Sequence, residues 1–168
     1  MQMPKPTKQH EKLAALAGTW TGEETNHPSP WDPVGGKTQG TLKYKVDLDG
    51  FALVQEYVQK RGGKTSFKGR GIIGYCGQEK KYLWHWADTM GGVPGAVTRG
   101  EWKGQKLVFQ HTAQGCHARY TYTFHKDGTL GFMIENSENG ETWTKFMDAR
   151  YTKKEAAKPA ASGVEAGA

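Results

Sequence analysis

The glycine-centred dipeptides of this chain do most to limit its fold. Asp49-Gly50, Gly62-Gly63, Gln114-Gly115, Asp127-Gly128 and Asn139-Gly140 stand between short segments in which apolar and polar residues alternate. A two- or three-residue loop with glycine in a positive-φ position joins antiparallel strands, and period-two alternation is the mark of a strand with one buried face. Ten such segments follow one another, near 18–26, 37–48, 51–61, 64–76, 79–89, 95–102, 105–112, 117–125, 129–137 and 141–152. Sequential hairpins with one apolar face predict an all-β, up-and-down antiparallel barrel of about ten strands. Thr7 is placed to cap a short helix over "KQHEKLAALA", which Gly18 ends. Residues 1–7 read as an N-terminal tail and 8–152 as the barrel domain. Residues 153–168, rich in Ala and Gly, read as a disordered C-terminal tail.

The turns also fix registers, since a slip of one residue moves a whole apolar face to the other side. The Asp49-Gly50 turn pairs Val46 with Leu53 and aligns Leu42, Tyr44, Val46, Leu48, Phe51, Leu53 and Tyr57 inward. Glu56 then faces out, opposite Lys43, as half of an exterior ion pair. The Gln114-Gly115 turn matches Leu107 to Tyr122, Phe109 to Tyr120 and His111 to Ala118. A three-residue Lys126-Asp127-Gly128 loop matches Phe124 to Leu130, Tyr122 to Phe132 and Tyr120 to Ile134. In "YLWHWADTM", residues 82–90, Tyr82, Trp84, Trp86 and Asp88 share the inner face, and His85 points outward.

Composition narrows the functional classes. At 168 residues the chain forms one domain, and its 6 Trp, 7 Tyr and 6 Phe carry much of the burial. The net charge of +6 is concentrated in the terminal segments and in Lys60, Arg61, Lys64, Lys68 and Arg70 around one hairpin tip. No nucleic-acid-binding motif accompanies it, so no nucleic-acid partner is expected. Neither a membrane span nor a signal peptide is legible, which predicts a cytoplasmic protein with Cys76 and Cys116 as free thiols. No metal motif is present: Cys116 and His117, adjacent on a strand, face opposite ways, and His85 has no ligand partner.

"LAALAGTWTGEE", residues 13–24, resembles the Gly-x-Trp opening of lipocalins and other calycins. That resemblance implies a tryptophan plug at the barrel floor, Trp20, covered by an arginine from the closing strand, Arg150. Residues 69–92, with Trp86-Ala87-Asp88, and 135–151, with Ser137, Gly140 and Trp143 in a Ser-x-x-Gly-x-x-Trp hairpin, look like a bacterial calycin-like family of unknown function. Cys76 departs from that family's usual aspartate.

The predicted function is binding of a small apolar or amphipathic molecule in the lumen, without a resident cofactor and with no reaction required. The ligand-binding candidates are Tyr82, Trp84, Trp86, Asp88, Phe109, His111, Tyr120, Tyr122 and Phe132. Arg70 joins them if the Gly62-Gly63 hairpin is regular; Gly69 and Gly71, which flank it, can host a bulge that turns it outward, and a solvated Arg70 is the favoured reading. Two further readings use the same lumen. One is haem binding resembling that of nitrobindins, with His111 as axial ligand, although the C-terminal histidine motif of those proteins is missing. The other is isomerase- or cyclase-type catalysis drawing on His111, Asp88, Tyr120 and Tyr122, with no nucleophile–base pair legible. A fully packed barrel without a ligand is the competing structural reading. The oligomeric state is not legible.

Overall fold

The computed structural model describes residues 1–91 and 97–155. The sequence-predicted C-terminal tail lies almost wholly outside them. A short helix, α1 (Lys8–Lys12), continues as a 3₁₀ turn (Leu13–Leu16) and leads into ten antiparallel strands. These are β1 (Gly18–Asn26), β2 (Gly36–Asp47), β3 (Ala52–Arg61), β4 (Lys64–Cys76), β5 (Lys81–Asp88), β6 (Thr98–Lys103), β7 (Lys106–Ala113), β8 (Cys116–Phe124), β9 (Leu130–Ser137) and β10 (Thr144–Lys153). Each strand pairs with its sequence neighbours, and β10 returns to β1 to close the barrel. No described helix is long and apolar enough to cross a membrane.

The registers read from the turns are found. Val46 faces Leu53 and Lys43 faces Glu56. Leu107, Phe109 and His111 face Tyr122, Tyr120 and Ala118, and Phe124, Tyr122 and Tyr120 face Leu130, Phe132 and Ile134. Alternation therefore delivers one continuous interior, in which Leu42, Tyr44, Leu53, Tyr57, Ile73, Trp84, Phe109, Tyr122 and Tyr151 are all buried. Val46 and Leu48 share that phase but are exposed, because the β2–β3 hairpin runs past the end of the barrel.

The helical segment plugs that end. Leu13 and Leu16 are buried against the core, the indole Nε1 of Trp20 donates to Leu16 O at 2.8 Å, and Tyr82 Oη donates to Gln9 O at 2.7 Å. Trp20 is thus the floor plug, but Arg150 does not cover it. Tyr151 points inward, so Arg150 points out and pairs with Asp127 at 2.8 Å. Trp20 lies opposite Lys153, whose ammonium sits 5.4 Å from the indole centroid and takes the cationic position.

Arg70 also departs from the luminal alignment. Arg61 pairs with Lys64 and Lys60 with Thr65, as a two-residue Gly62-Gly63 turn demands, but Gln59 then pairs with Phe67. Ser66 is the extra residue of a β-bulge, which reverses the phase of everything after it. Phe67, Gly69, Gly71 and Ile73 consequently face in, and Arg70 faces out, 3.7 Å from Glu56. Glu56 is exterior, as the sequence indicates, with Arg70 rather than Lys43 as its partner. The two inward glycines make room for indoles. A Cβ at Gly69 would lie 2.0 Å from Trp86 Cζ2, and one at Gly71 would lie 2.7 Å from Trp84 Nε1.

Candidate ligand cavity

The barrel is filled to about mid-height and hollow above. In the filled layer Tyr44 and Tyr122 share a hydroxyl–hydroxyl hydrogen bond of 2.8 Å, and Gln55 Nε2 donates to Tyr44 Oη at 2.9 Å. Burial and then the neighbouring Tyr122 push the Tyr44 phenol well above its ordinary value, so both hydroxyls act as neutral hydrogen-bonding groups. Above this layer, at the end opposite the helix, lies a cavity of about 560 Å³. That is within the size range of small-molecule sites.

Its walls are aromatic. Trp84 and Trp86 meet at 5.5 Å in a T-shaped contact, Tyr57 stands 6.4 Å from Trp86 and 5.8 Å from Phe67, and Tyr120 stands 5.3 Å from Trp84. Phe132, Ile134, Met147 and Phe146 complete the apolar lining. Two polar atoms in this wall are buried without a partner among the described residues: Gln55 Oε1 and Trp84 Nε1. Their residues are 2 % and 5 % exposed. A buried polar group left unpaired costs about 1–3 kcal/mol, so such groups ask for an explanation.

The mouth is built by the loop of residues 27–35, "HPSPWDPVG". Trp31 packs edge-on against Phe146 at 6.4 Å while remaining 67 % exposed. Arg61 fastens the loop to the barrel, donating to Asp32 Oδ2 at 2.6 Å and to Gly35 O at 2.7 Å. On the other side of the mouth Asp88 accepts from Trp86 Nε1 at 2.8 Å and from the Met90 backbone N–H at 2.9 Å. Burial and then the Asp88 charge push the nearby Tyr120 phenol up to about 12.

A buried carboxylate underlies one wall. Glu24 is 0 % exposed and accepts four hydrogen bonds. Tyr57 Oη and Tyr151 Oη each donate to Oε1 at 2.7 Å, and Thr38 Oγ1 and Gln59 Nε2 donate to Oε2 at 2.8 and 2.9 Å. Burial, then the Glu24 charge, raises both phenols far above their ordinary value. Gly40 admits the carboxylate, since a Cβ there would sit 1.9 Å from Oε1.

Of the sequence-predicted ligand-binding residues, Trp84, Trp86, Asp88, Tyr120 and Phe132 line this cavity. Tyr82, Phe109 and Tyr122 face inward but belong to the filled layers below it. His111 stacks on Tyr120 with ring centroids 5.9 Å apart and lies 3.3 Å from Thr98 Oγ1, in a separate depression with Arg99, His117 and Trp143. Among the described residues no histidine lines the cavity, and no three His, Cys, Asp or Glu side chains converge as a metal site would require. Arg70 is outside the barrel. Exposed His85 lies with it, Lys43 and Glu56 along an outer groove. Sequence reasoning missed Glu24, Gln55, Gln59 and the loop residues Trp31 and Asp32. The first three carried a signal, because they share the strand phase of Trp20, Leu53 and Tyr57.

Among solved structures the chain is similar to Rv2717c from M. tuberculosis, at 13 % identity and a TM-score of 0.60 over 89 % of this chain and 99 % of that one. It is also similar to the S-type phycobiliprotein lyase CPES from Guillardia theta, at 10 % identity and a TM-score of 0.62 over 90 % and 95 % of the two chains. At these identities the likeness is one of fold alone. No curated protein matches the chain. Residues 5–153 match the family described as "Protein of unknown function (DUF1579)", to which the chain therefore belongs.

Proposed function

We propose that this barrel binds a small, largely apolar molecule with a polar end, held non-covalently in the upper half of its lumen. The observation that carries the reading is the contrast between the two halves. Below, tyrosines and aliphatic residues fill the barrel; above, an aromatic-walled space of about 560 Å³ opens to solvent. Evenly packed interiors leave few voids larger than a water molecule, so a cavity of this size with convergent polar groups is the feature of a site. The charged side chains of the lining, Asp32, Arg61 and Asp88, lie at the mouth with Asn26, Ser66 and Asn136, while the polar Gln55 and Gln59 belong to the wall; this sets the orientation: apolar body inward, polar end outward. The structural likeness to a phycobiliprotein lyase supports the reading at the level of fold.

The test is a titration with the neutral fluorescent probe N-phenyl-1-naphthylamine, read by energy transfer from tryptophan. The wild-type chain is expected to bind one equivalent saturably, and Ile134→Trp, which fills the cavity, to lose that binding while remaining folded by circular dichroism. Unchanged binding in folded Ile134→Trp would overturn the assignment.

A further inference from the structure

The charge of the ligand's polar end can be taken further, on the basis of the lumen-binding reading above. Among the described residues the charged side chains lining the cavity are Asp32, Arg61 and Asp88. Arg61 is already committed to Asp32 at 2.6 Å, and its second nitrogen donates to the Gly35 carbonyl, so that pair adds no net charge. Asp88 has no cationic partner among the described residues. It accepts one hydrogen bond on each oxygen, from Trp86 and from the Met90 backbone, and a carboxylate has about four acceptor positions, so two remain open.

Glu24 adds a second carboxylate behind the Tyr57–Gln59 wall. Its four partners are all neutral donors, so they hold the charge in place without cancelling it. Both carboxylates act through a partly desolvated space, where charges interact more strongly than in water. The walls have the same preference: the faces of Trp84, Trp86, Tyr57, Phe67 and Tyr120 are electron-rich and attract a cation placed over them.

We infer that the polar end of the ligand is a cation, an organic amine or ammonium on an apolar or aromatic body, seated between the Asp88 carboxylate and the aromatic wall. The net charge of +6 on the chain does not oppose this. Its described lysines are on the outer surface, and the field of exposed charges is screened over about 8–10 Å at physiological ionic strength. The same arrangement disfavours a carboxylate ligand, since Arg61, exposed at the rim, is neutralised by Asp32 and Arg70 points outward.

Three probes with one body and different charge provide the test: 2-naphthylmethylamine, 2-naphthalenemethanol and 2-naphthoate, each titrated by calorimetry at pH 7. The ammonium is expected to bind about tenfold tighter than the carboxylate, with the alcohol between them. In Asp88→Asn the ammonium-to-alcohol affinity ratio is expected to fall about threefold or more. Glu56→Gln, on the outer surface, is expected to leave the ratio unchanged. Equal affinities for all three probes, a preference for the carboxylate, or an unaltered ratio in folded Asp88→Asn would overturn the inference while leaving lumen binding intact. Failure of the alcohol as well as the charged probes to bind would overturn both.

Discussion

Replacing Glu24 with glutamine removes one oxygen from a group that serves four donors, and the consequences can be worked from the geometry. Oε1 takes the hydroxyls of Tyr57 and Tyr151, and Oε2 takes Thr38 and Gln59. An amide has a single acceptor oxygen, so two donors on the other side meet an NH2 group instead. Hydroxyls can turn to accept, but Thr38 Oγ1 already accepts from Asn26 Nδ2 at 2.8 Å and Tyr57 Oη already accepts from Gln59 Nε2 at 3.1 Å. At least one buried donor therefore loses its partner, at about 1–3 kcal/mol, and the remaining bonds lose the extra strength of a charged acceptor, about 1 kcal/mol. The expected destabilisation is about 3 kcal/mol, or about 6–12 °C in Tm for a domain of this size. Differential scanning calorimetry measures it, and a double-mutant cycle with Tyr57→Phe assigns it. If the network is shared, the two substitutions are non-additive by about 0.5–3 kcal/mol. A Tm change within about 1 °C, or strict additivity, would show that Glu24 is not held as described.

Other perturbations test other layers. Trp20→Ala deletes the indole that plugs the floor and is expected to lower stability by about 3–5 kcal/mol, read from the urea midpoint; a midpoint that barely moves contradicts the floor assignment. Gly69→Ala places a methyl 2.0 Å from the Trp86 ring, so the indole must shift into the cavity. A loss of about 1–3 kcal/mol and weaker binding of N-phenyl-1-naphthylamine are expected, whereas unaltered binding refutes the close approach. Burial lowers the His111 pKa, so the unfolded chain binds the proton more readily. This contribution is fully present above the unfolded value, about 6.5, and is lost as pH falls through and below it. His111→Gln is expected to flatten that part of the stability–pH curve, and an equal slope in both chains contradicts the burial effect.

Much of the barrel was legible because short turns admit few geometries. Asp49-Gly50, Gln114-Gly115 and the Lys126–Gly128 loop each set a register that the structure reproduces, and with it the face of every residue from Leu107 to Ile134. The bulge at Ser66 was not legible. Gly69 and Gly71 marked a place where a bulge could turn Arg70 outward, but nothing in "KTSFKGRG" put the extra residue at Ser66, and that residue decides whether Arg70 or Gly69 and Gly71 face the lumen. Phase assigns a face but not a height. His111, Phe109 and Tyr122 point inward as read, yet the cavity lies at another level from Phe109 and Tyr122 and beside His111 rather than in front of it. The mouth depends on Trp31, Asp32 and Arg61, which are brought together from separate segments by a Pro-rich loop without periodicity. Glu24, Gln55 and Gln59 were overlooked despite a clear signal, since Glu24 falls two strand periods after Trp20 and the two glutamines share the phase of Leu53 and Tyr57.

The indole N–H resonances of the six tryptophans test the central claim most directly, because they report on each level of the barrel separately. With ¹⁵N-labelled protein and the neutral probe 2-naphthalenemethanol, Trp84 and Trp86 in the cavity wall are expected to shift saturably at one equivalent. Trp20, hydrogen-bonded to Leu16 at the floor, is expected to stay fixed. Saturable shifts at Trp20, Trp102 or Trp143 with Trp84 and Trp86 unmoved would place the binding site outside the cavity and contradict the account.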